Sequence, residues 1–552
     1  MTTMVTPSPV TGTITRSPVT VPGAEAALLN GASPRSDGGK KAPLAVRMLL
    51  PAVLAALVAV VHTVGLSAGP AYSDDEGTYA AQAWALVHQG QLAHYTYWYD
   101  HPPLGWILLA GWNVATGWLL HPATAVEGAR QFTALVATVT GLLIYLLGRR
   151  LRLPRWTAAL AVTLWALSPL ALLWTRTMYL DNVGTAFLLG ALVLASSPRR
   201  HLWSFAGSGL CVACAVLSKE TLLLSLPAVC YATWRGAAGR TRPFCLAAFT
   251  TTAVSVLAMY PLYATLKGEL LHGATHVSLL DAVRFQVMGR ASTGSPLAPH
   301  TISAALVGQW LHSDPWLLAF GVLLTPLAFA LGRLRAAALA VAVPVAVSLR
   351  PGYLPEPFVI ALLPFCALII AGLLTAAIGG LSRGSRRAGA LVALAALAAL
   401  AVVLVPSWSS GVRADTRGDA AVRLVLAENW IAGHVPHDRR VVVDDTMWVD
   451  LVNRGFNPHL GVIWFYKTDF TNNLDPSVAR SLPNGYRDID VVVVTPSMRS
   501  ALASLPGGFA QLRAAIRYSR ILHTVGAGTD RIEVRQVVVP PGAPPPAQPT
   551  LK

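Results

Sequence analysis

Three consecutive carboxylates, Asp74, Asp75 and Glu76, follow the first long apolar run of the chain, and Tyr79 lies one helical turn further on. The other charges set beside apolar runs are few. They are Asp100 with His101 in "DHPPLGW", Arg130, Arg176 with Asp181 in "RTMYLDN", and Lys219 with Glu220 in "SKET". A charge at the centre of a membrane helix costs about 2.5 to 3.5 kcal/mol on insertion scales, so each needs a partner or a task. A carboxylate can take the proton of an attacking hydroxyl, and a cation can hold a departing phosphate. Acids and cations gathered at one surface would supply both halves of a displacement at a phosphate-linked carbon.

The elements that must position these groups are apolar. Of the 552 residues, 54% are hydrophobic and 12% charged, about half the charged share of a soluble domain. Runs of membrane-spanning length start at "LAVRMLLPAVLAALVAVVHTVGL", Leu44 to Leu66, and recur near 129–148, 156–174, 182–197, 202–218, 220–234, 244–264, 315–332, 336–349, 357–379 and 388–406. The expected fold is therefore an all-α polytopic membrane protein of about eleven spans. The net charge of +16 points to membrane topology rather than nucleic acid, because the arginines cluster in short connections. Arg149, Arg150, Arg152 and Arg155 share one loop; Arg199 and Arg200, Arg235, Arg240 and Arg242, Arg333 and Arg335, and Arg383, Arg386 and Arg387 fill the alternate ones. Leu66 to Glu127 holds no Lys or Arg. The rule that basic loops stay inside then puts the N-terminus in the cytoplasm and the acids outside, in the cytoplasmic membrane.

"LGWILLAGWNVATGWLL", Leu104 to Leu120, is apolar enough to cross but would invert every later loop. It is read as an interfacial helix, with Trp106, Trp112 and Trp118 at headgroup level. Residues 1–43, rich in Ser, Thr, Pro and Gly, read as a disordered cytoplasmic tail. The transmembrane part runs over 44–406. An extracytoplasmic α/β domain is expected over 407–538, with strands in "RRVVVDD", "GVIWF" and "DIDVVVV" and helical patterns at 417–434 and 497–516. A Pro-rich disordered tail fills 539–552.

In this topology all the charges named above share the outer surface, as walls of one cavity. A sugar on a polyprenyl phosphate keeps its lipid in the bilayer and its phosphate at headgroup level, where Lys219 and Arg176 could hold it. Asp75 or Glu76 would serve as base, and a phosphate leaving group needs no acid.

"DEGTY", "DHPPLGW", "RTMYLDN" and "SKET", in that order, resemble the membrane-embedded, lipid-carrier-dependent glycosyltransferases, the group of protein O-mannosyltransferases and aminoarabinose transferases (glycosyltransferase family 39-like, GT-C fold). The resemblance spans roughly the first 380 residues. It implies a catalytic acid in the first outer loop, here Asp75 beside Glu76, a phosphate-binding Lys at Lys219 and a second-loop acid at Asp181. Tyr79, Asp100, His101 and Glu220 would support substrate. The implied partners are the polyprenyl-phosphate sugar donor, the bilayer, and an acceptor protein, lipid or envelope glycan. No cofactor or metal is required, with Mg²⁺ or Mn²⁺ bridging acid and phosphate left open. The C-terminal domain is unlike the mannosyltransferases' sugar-recognition insert, and His101 stands where the aminoarabinose enzymes carry a Lys.

Plainer roles compete. The acids at 74–76 could cap a helix near Gly77, Lys219 could snorkel from a helix end, and Arg176 and Asp181 could pair structurally. Tyr95, Tyr97, Trp98 and Tyr99 suit an aromatic belt. His272 and His276 lack an acidic partner at metal-site spacing, and Asp444 and Asp445 suit a turn and helix cap. Cys211 and Cys214 sit in an apolar run, like Cys230, Cys245 and Cys366, and read as packing residues. The competing functions are a transporter or lipid flippase with an outward-facing acidic cavity, and a non-catalytic assembly protein. The transporter reading calls for ionisable groups near mid-membrane and for repeated halves.

Overall fold

The computed structural model describes residues 44–93, 95, 99–117, 122–199, 201–273, 278–381, 386–418, 420–468 and 476–543. The tail expected over 1–43, the end beyond 543, and Tyr97, Trp98, Trp118 and His276 lie outside these residues. The chain divides into two compact units. The first ends at Leu49 and contributes only the opening turns of α1 (Leu44–Thr63); the second, Leu50–Lys552, carries everything described below.

Helices dominate up to Thr416. They are α2 (Asp74–Gln89), α3 (Leu104–Thr116), α4 (Ala125–Arg150), α5 (Arg155–Leu167), α6 (Pro169–Arg176), α7 (Leu180–Ala195), α8 (Leu202–Ser218), α9 (Leu226–Gly236), α10 (Arg242–Leu257), α11 (Met259–Leu266), α12 (Leu279–Arg284), α13 (Ile302–Ser313), α14 (Pro315–Leu323), α15 (Thr325–Ala330), α16 (Arg335–Ser348), α17 (Leu363–Leu381) and α18 (Arg386–Thr416). Every expected span falls on helical residues, but several are interrupted. Among the described residues, four stretches are long and apolar enough to cross a bilayer: Ala125–Arg150, Arg242–Leu266, Glu356–Gly380 and Gly389–His434. The pair α5 and α6 makes a fifth if its 66° bend is one broken span. That break has a cause: Pro169 lacks an N–H and starts a new helix at its first position, with the Ser168 hydroxyl accepting from Ala171 N. The count of about eleven is thus not reproduced by helix length, because spans read as single runs are split at prolines and turns or stop short.

The helix expected over 104–120 is α3, and at 13 residues it is about 20 Å long, too short for a hydrocarbon core of about 30 Å. It buries Trp106 and Leu109 against Tyr79 of α2, Phe132 of α4 and Val183 of α7. Across the boundary expected at 406, α18 continues unbroken to Thr416.

Beyond it, α19 (Ala420–His434) leads into a five-stranded mixed sheet. Its strands are β1 (Val441–Val443), β2 (Val462–Trp464), β3 (Val491–Val494), β4 (Ser519–Val525) and β5 (Ile532–Val537), in the order β2-β1-β3-β5-β4. Valine runs buried on both faces suit the parallel pairs β1 with β2 and β1 with β3, while β5 runs antiparallel to β3 and β4. The three strands read from the sequence are present; β4 and β5 were not anticipated. The helical pattern at 497–516 is two helices, Pro496–Ser504 and Ala510–Arg517, separated around Gly507 and Gly508.

The sheet domain does not stand apart. Its core includes Ala80 and Ala81 of α2, Tyr95, and Ala125 of α4. The contact is made by α20 (Asp445–Asn453), and it is close: a Cβ on Gly77 would lie 2.4 Å from the carbonyl carbon of Asp445 and the nitrogen of Thr446. Only glycine fits there, which accounts for the third residue of "DEGTY". Thr78 Oγ1 donates to Asp445 Oδ2 at 2.9 Å, Trp84 Nε1 donates to Asn453 Oδ1 at 3.2 Å, and Ala125 N donates to Asp450 Oδ1 at 3.0 Å.

Candidate active site

Adjacent residues of α2 have opposite fates. Glu76 is fully buried and accepts four hydrogen bonds: from Arg130 Nε and Nη2 at 2.7 Å each, from Met178 N at 2.9 Å and from Ser73 N at 3.1 Å. Ser73 is the helix N-cap and Glu76 the third residue in, the spacing of a capping box. Arg130, itself fully buried, also donates to the carbonyls of Leu66, Pro70 and Ala71. Glu76 and Arg130 therefore pin the segment that enters α2. Asp75, one residue earlier, is exposed and makes no hydrogen bond or ion pair among the described residues.

Asp75 looks into a cavity of about 490 Å³. Its polar lining also includes Asp100, His101, Lys219, Glu220, Gln286, Arg290, Arg350 and Tyr353. Five of the residues singled out in the sequence are thus brought together: Asp75, Asp100, His101, Lys219 and Glu220. Lys219 follows the last turn of α8, nearly buried, with Nζ 2.9 Å from His101 Nε2 and 3.9 Å from Asp181 Oδ2. An ammonium can only donate, so His101 Nε2 accepts and Nδ1 carries the proton, which it gives to Glu220 Oε2 at 3.0 Å. The chain Asp181–Lys219–His101–Glu220 fixes the lysine at the cavity wall. Asp181, 2% exposed, supports Lys219 from behind rather than lining the space.

Four expectations meet a different geometry. Arg176 is buried, and its guanidinium donates to the carbonyls of Val61, Val64, Gly65 and Gly69. It is spent on the end of α1 and the turn after it and is absent from the cavity lining. Glu76 is held in its buried ion pair and does not line the cavity either. Tyr79 is buried against Trp106, ring centroids 6.3 Å apart, and stays off the lining. The pairing of Arg176 with Asp181 does not form either.

The sequence reading missed Gln286, Arg290, Arg350 and Tyr353. Gln286 Nε2 and Arg290 Nη2 donate to Asp100 Oδ1 at 2.8 and 3.3 Å, and the Arg290 guanidinium lies 4.4 Å over the Tyr353 ring. Arg290 Nε is buried with no hydrogen-bond partner, and the Arg350 side chain makes no hydrogen bond or ion pair among the described residues. A signal did exist. Both arginines fall in connections that the alternating charge pattern assigns to the basic-poor side, where an unexplained cation asks for an anion.

The plainer roles also sort. Asp444 does cap α20, its side chain accepting from Thr446 N. Tyr95 and Tyr99 form no belt: both are buried, Tyr95 Oη accepting from Trp464 N at 3.1 Å and Tyr99 Oη donating to Glu269 at 2.6 Å. His272 has an acidic partner after all, Asp281 at 2.9 Å. All five cysteines are free thiols. At the contact of α2 with the sheet domain, burial and the neighbouring Asp444 raise the Asp74 carboxyl to about 6, and burial raises Asp450 to about 7.

Membrane-length apolar helices, and a cavity that gathers the unengaged carboxylate of Asp75 with the cations Lys219, Arg290 and Arg350, define the architecture. Residues 100–263 match the family model of dolichyl-phosphate-mannose-protein mannosyltransferases, a stretch that includes His101, Asp181 and Lys219. Among solved structures, the fold is similar to ArnT from Cupriavidus metallidurans bound to undecaprenyl phosphate, at 15% identity and a TM-score of 0.52 over 90% of this chain and 99% of that one. It is also similar to the Archaeoglobus fulgidus oligosaccharyltransferase in its apo form, at 14% identity and a TM-score of 0.53 over 83% of this chain and 71% of that one. No curated protein sequence matches the chain. The resemblance to the lipid-carrier-dependent glycosyltransferases, read from four short motifs, is thus met by the family match and by the fold.

Proposed function

We propose that this protein is a glycosyltransferase that moves a single sugar from a polyprenyl-phosphate donor to an acceptor hydroxyl, on the outer face of the cytoplasmic membrane. The observation that carries the reading is the pairing, in one cavity, of an unengaged carboxylate, Asp75, with the cations Lys219, Arg290 and Arg350. The match to a family named for a lipid-phosphate sugar donor and the likeness to a fold solved with undecaprenyl phosphate support it.

Asp75 takes the acceptor O–H proton as the oxygen attacks the anomeric carbon, and the bond from that carbon to the phosphate oxygen breaks. The lipid phosphate leaves with the electron pair, its charge held by Lys219, Arg290 and Arg350. Attack from the face away from the phosphate inverts the sugar. His101 and Glu220 position Lys219 and touch no reacting atom. The N-terminus lies in the cytoplasm and the sheet domain outside, because the basic loops then fall on the inner side.

Purified protein given labelled polyprenyl-phosphate sugars and envelope acceptors should release polyprenyl phosphate. Asp75→Asn should abolish release while leaving the melting temperature unchanged, since the side chain has no hydrogen bond or ion pair to lose among the described residues. Full turnover in that variant would refute the assignment.

A further inference from the structure

A second group of acids gathers outside the cavity lining. Asp74 at the first turn of α2, and Asp444 and Asp445 at the end of β1, place one carboxylate oxygen each within 4.8 Å of one another. Asp444 and Asp445 are 2% and 1% exposed. Among the described residues, none of the three pairs with Arg, Lys or His.

Some of the oxygens are already satisfied. Thr495 Oγ1 donates to Asp444 Oδ2 at 2.9 Å, Thr446 Oγ1 to Asp444 Oδ1 at 3.2 Å, Ser497 Oγ to Asp74 Oδ1 at 2.8 Å, and Thr78 Oγ1 to Asp445 Oδ2 at 2.9 Å. Two oxygens accept no hydrogen bond among the described residues: Asp74 Oδ2, on an exposed side chain, and Asp445 Oδ1, which is buried. The groups that press on Asp445 are the Asp444 carboxyl, in direct contact with it, and Asp74. A buried carboxylate oxygen with neither donor nor cation is among the costliest groups a fold can hold. The neighbouring carboxyls, Asp444 buried and Asp74 exposed, raise that cost, because like charges repel. Hydroxyls that hold some oxygens of a carboxylate cluster in place while leaving others bare are what a supporting shell does around a metal.

The position in the fold agrees. β1 connects to β2 on one side, while β3 lies on its other side, so the sheet order reverses at β1. Asp444 and Asp445 directly follow β1, and Thr495 directly follows β3. Crevices at the carboxyl ends of strands, where the order reverses, are where open α/β sheets bind ligands.

We propose that Asp74, Asp444 and Asp445 bind a hard divalent cation, of the Mg²⁺ or Ca²⁺ class, that ties α2 to the sheet domain. An all-oxygen donor set selects such ions over Zn²⁺ or Cu²⁺. Metal–oxygen distances of about 2.1 to 2.4 Å put two ligand oxygens on one ion roughly 3 to 4.8 Å apart, which the observed spacing meets. The ion offsets two of three negative charges and gives the orphaned oxygen its partner. Its mechanical effect is to clamp the first turn of α2, the turn that carries Asp75.

The test uses the full chain in nanodiscs, stripped with EDTA, with Mn²⁺ as probe and its free concentration read by electron paramagnetic resonance. Wild type should bind Mn²⁺, and Mg²⁺ or Ca²⁺ should displace it, the better competitor naming the ion. Asp445→Asn and Asp444→Asn should weaken binding at least tenfold, whereas Asp75→Asn should retain it. Melting supplies a readout independent of transfer. Mn²⁺ should raise the melting temperature of wild type and Asp75→Asn but not of Asp445→Asn, and in EDTA Asp445→Asn should melt at or above wild type because a repelling charge has gone. Equal Mn²⁺ binding by wild type and Asp445→Asn, or no cation-dependent shift in wild type, would overturn the site and leave protons as what neutralises the cluster. Neither outcome bears on glycosyl transfer, so the two readings fail separately.

Discussion

Replacing Glu76 by Gln tests whether its carboxylate is structural while its neighbour is chemical. In wild type the Glu76 oxygens face four N–H donors: two from Arg130 at 2.7 Å, one from Met178 and one from Ser73. A glutamine offers one oxygen and one NH₂, so at least one pair of donors must face each other. The charge of Arg130, fully buried, also loses the one carboxylate it pairs with among the described residues. Breaking a buried ion pair by removing one partner costs about 3 to 5 kcal/mol. That is a large share of the 5 to 15 kcal/mol that a folded domain typically holds in reserve. Thermal unfolding in nanodiscs, followed by tryptophan fluorescence, should show a marked drop for Glu76→Gln and for Arg130→Met. The double variant should lose less than the sum, because no charge is then left buried alone. Asp75→Asn should melt with wild type. A Glu76→Gln protein with unaltered melting and full activity would refute the structural assignment, and a drop in Asp75→Asn of the same size would remove the contrast on which it rests.

Arg290→Gln and Arg350→Gln should each slow transfer or weaken donor binding about 10- to 100-fold, the loss of one charge-assisted phosphate contact at about 1.5 to 3 kcal/mol, as read by turnover against donor concentration. Arg176→Met should instead lower the melting temperature, since its donors serve backbone carbonyls. Gly77→Ala should force α2 away from α20 and speed hydrogen exchange across 441–464, with a cost of about 1 to 3 kcal/mol from overpacking. The pH dependence follows from Asp450, whose carboxyl burial raises to about 7. Between its unfolded value, about 3.9, and about 7 the folded protein keeps a proton that the unfolded chain has shed, so this group's contribution falls as pH rises through that window and levels off above it. Melting temperature should decline from pH 5 to 7.5 in wild type, and less steeply in Asp450→Asn.

The sequence alone determined the broad architecture, because the signals involved are local. Apolar runs become helices wherever the backbone must satisfy its own hydrogen bonds, and valine-rich runs bounded by polar turns become buried strands. The arginine clusters led to the expectation that all the acids and cations named share one side, and the structure gathers five of them, Asp75, Asp100, His101, Lys219 and Glu220, at one cavity. Tertiary structure decided how each charge is used. Asp74, Asp75 and Glu76 are chemically alike and adjacent, yet one joins an acidic cluster with the sheet domain, one faces the cavity, and one is sealed against Arg130. A helix turns about 100° per residue, so neighbours face different surroundings, and those surroundings come from segments tens to hundreds of residues away. Arg176 and Arg290 show the same limit from the cationic side. The first stands in a motif and spends its donors on carbonyls; the second stands in no motif and lines the cavity, because the partners of a long side chain are set by packing, which no local pattern records.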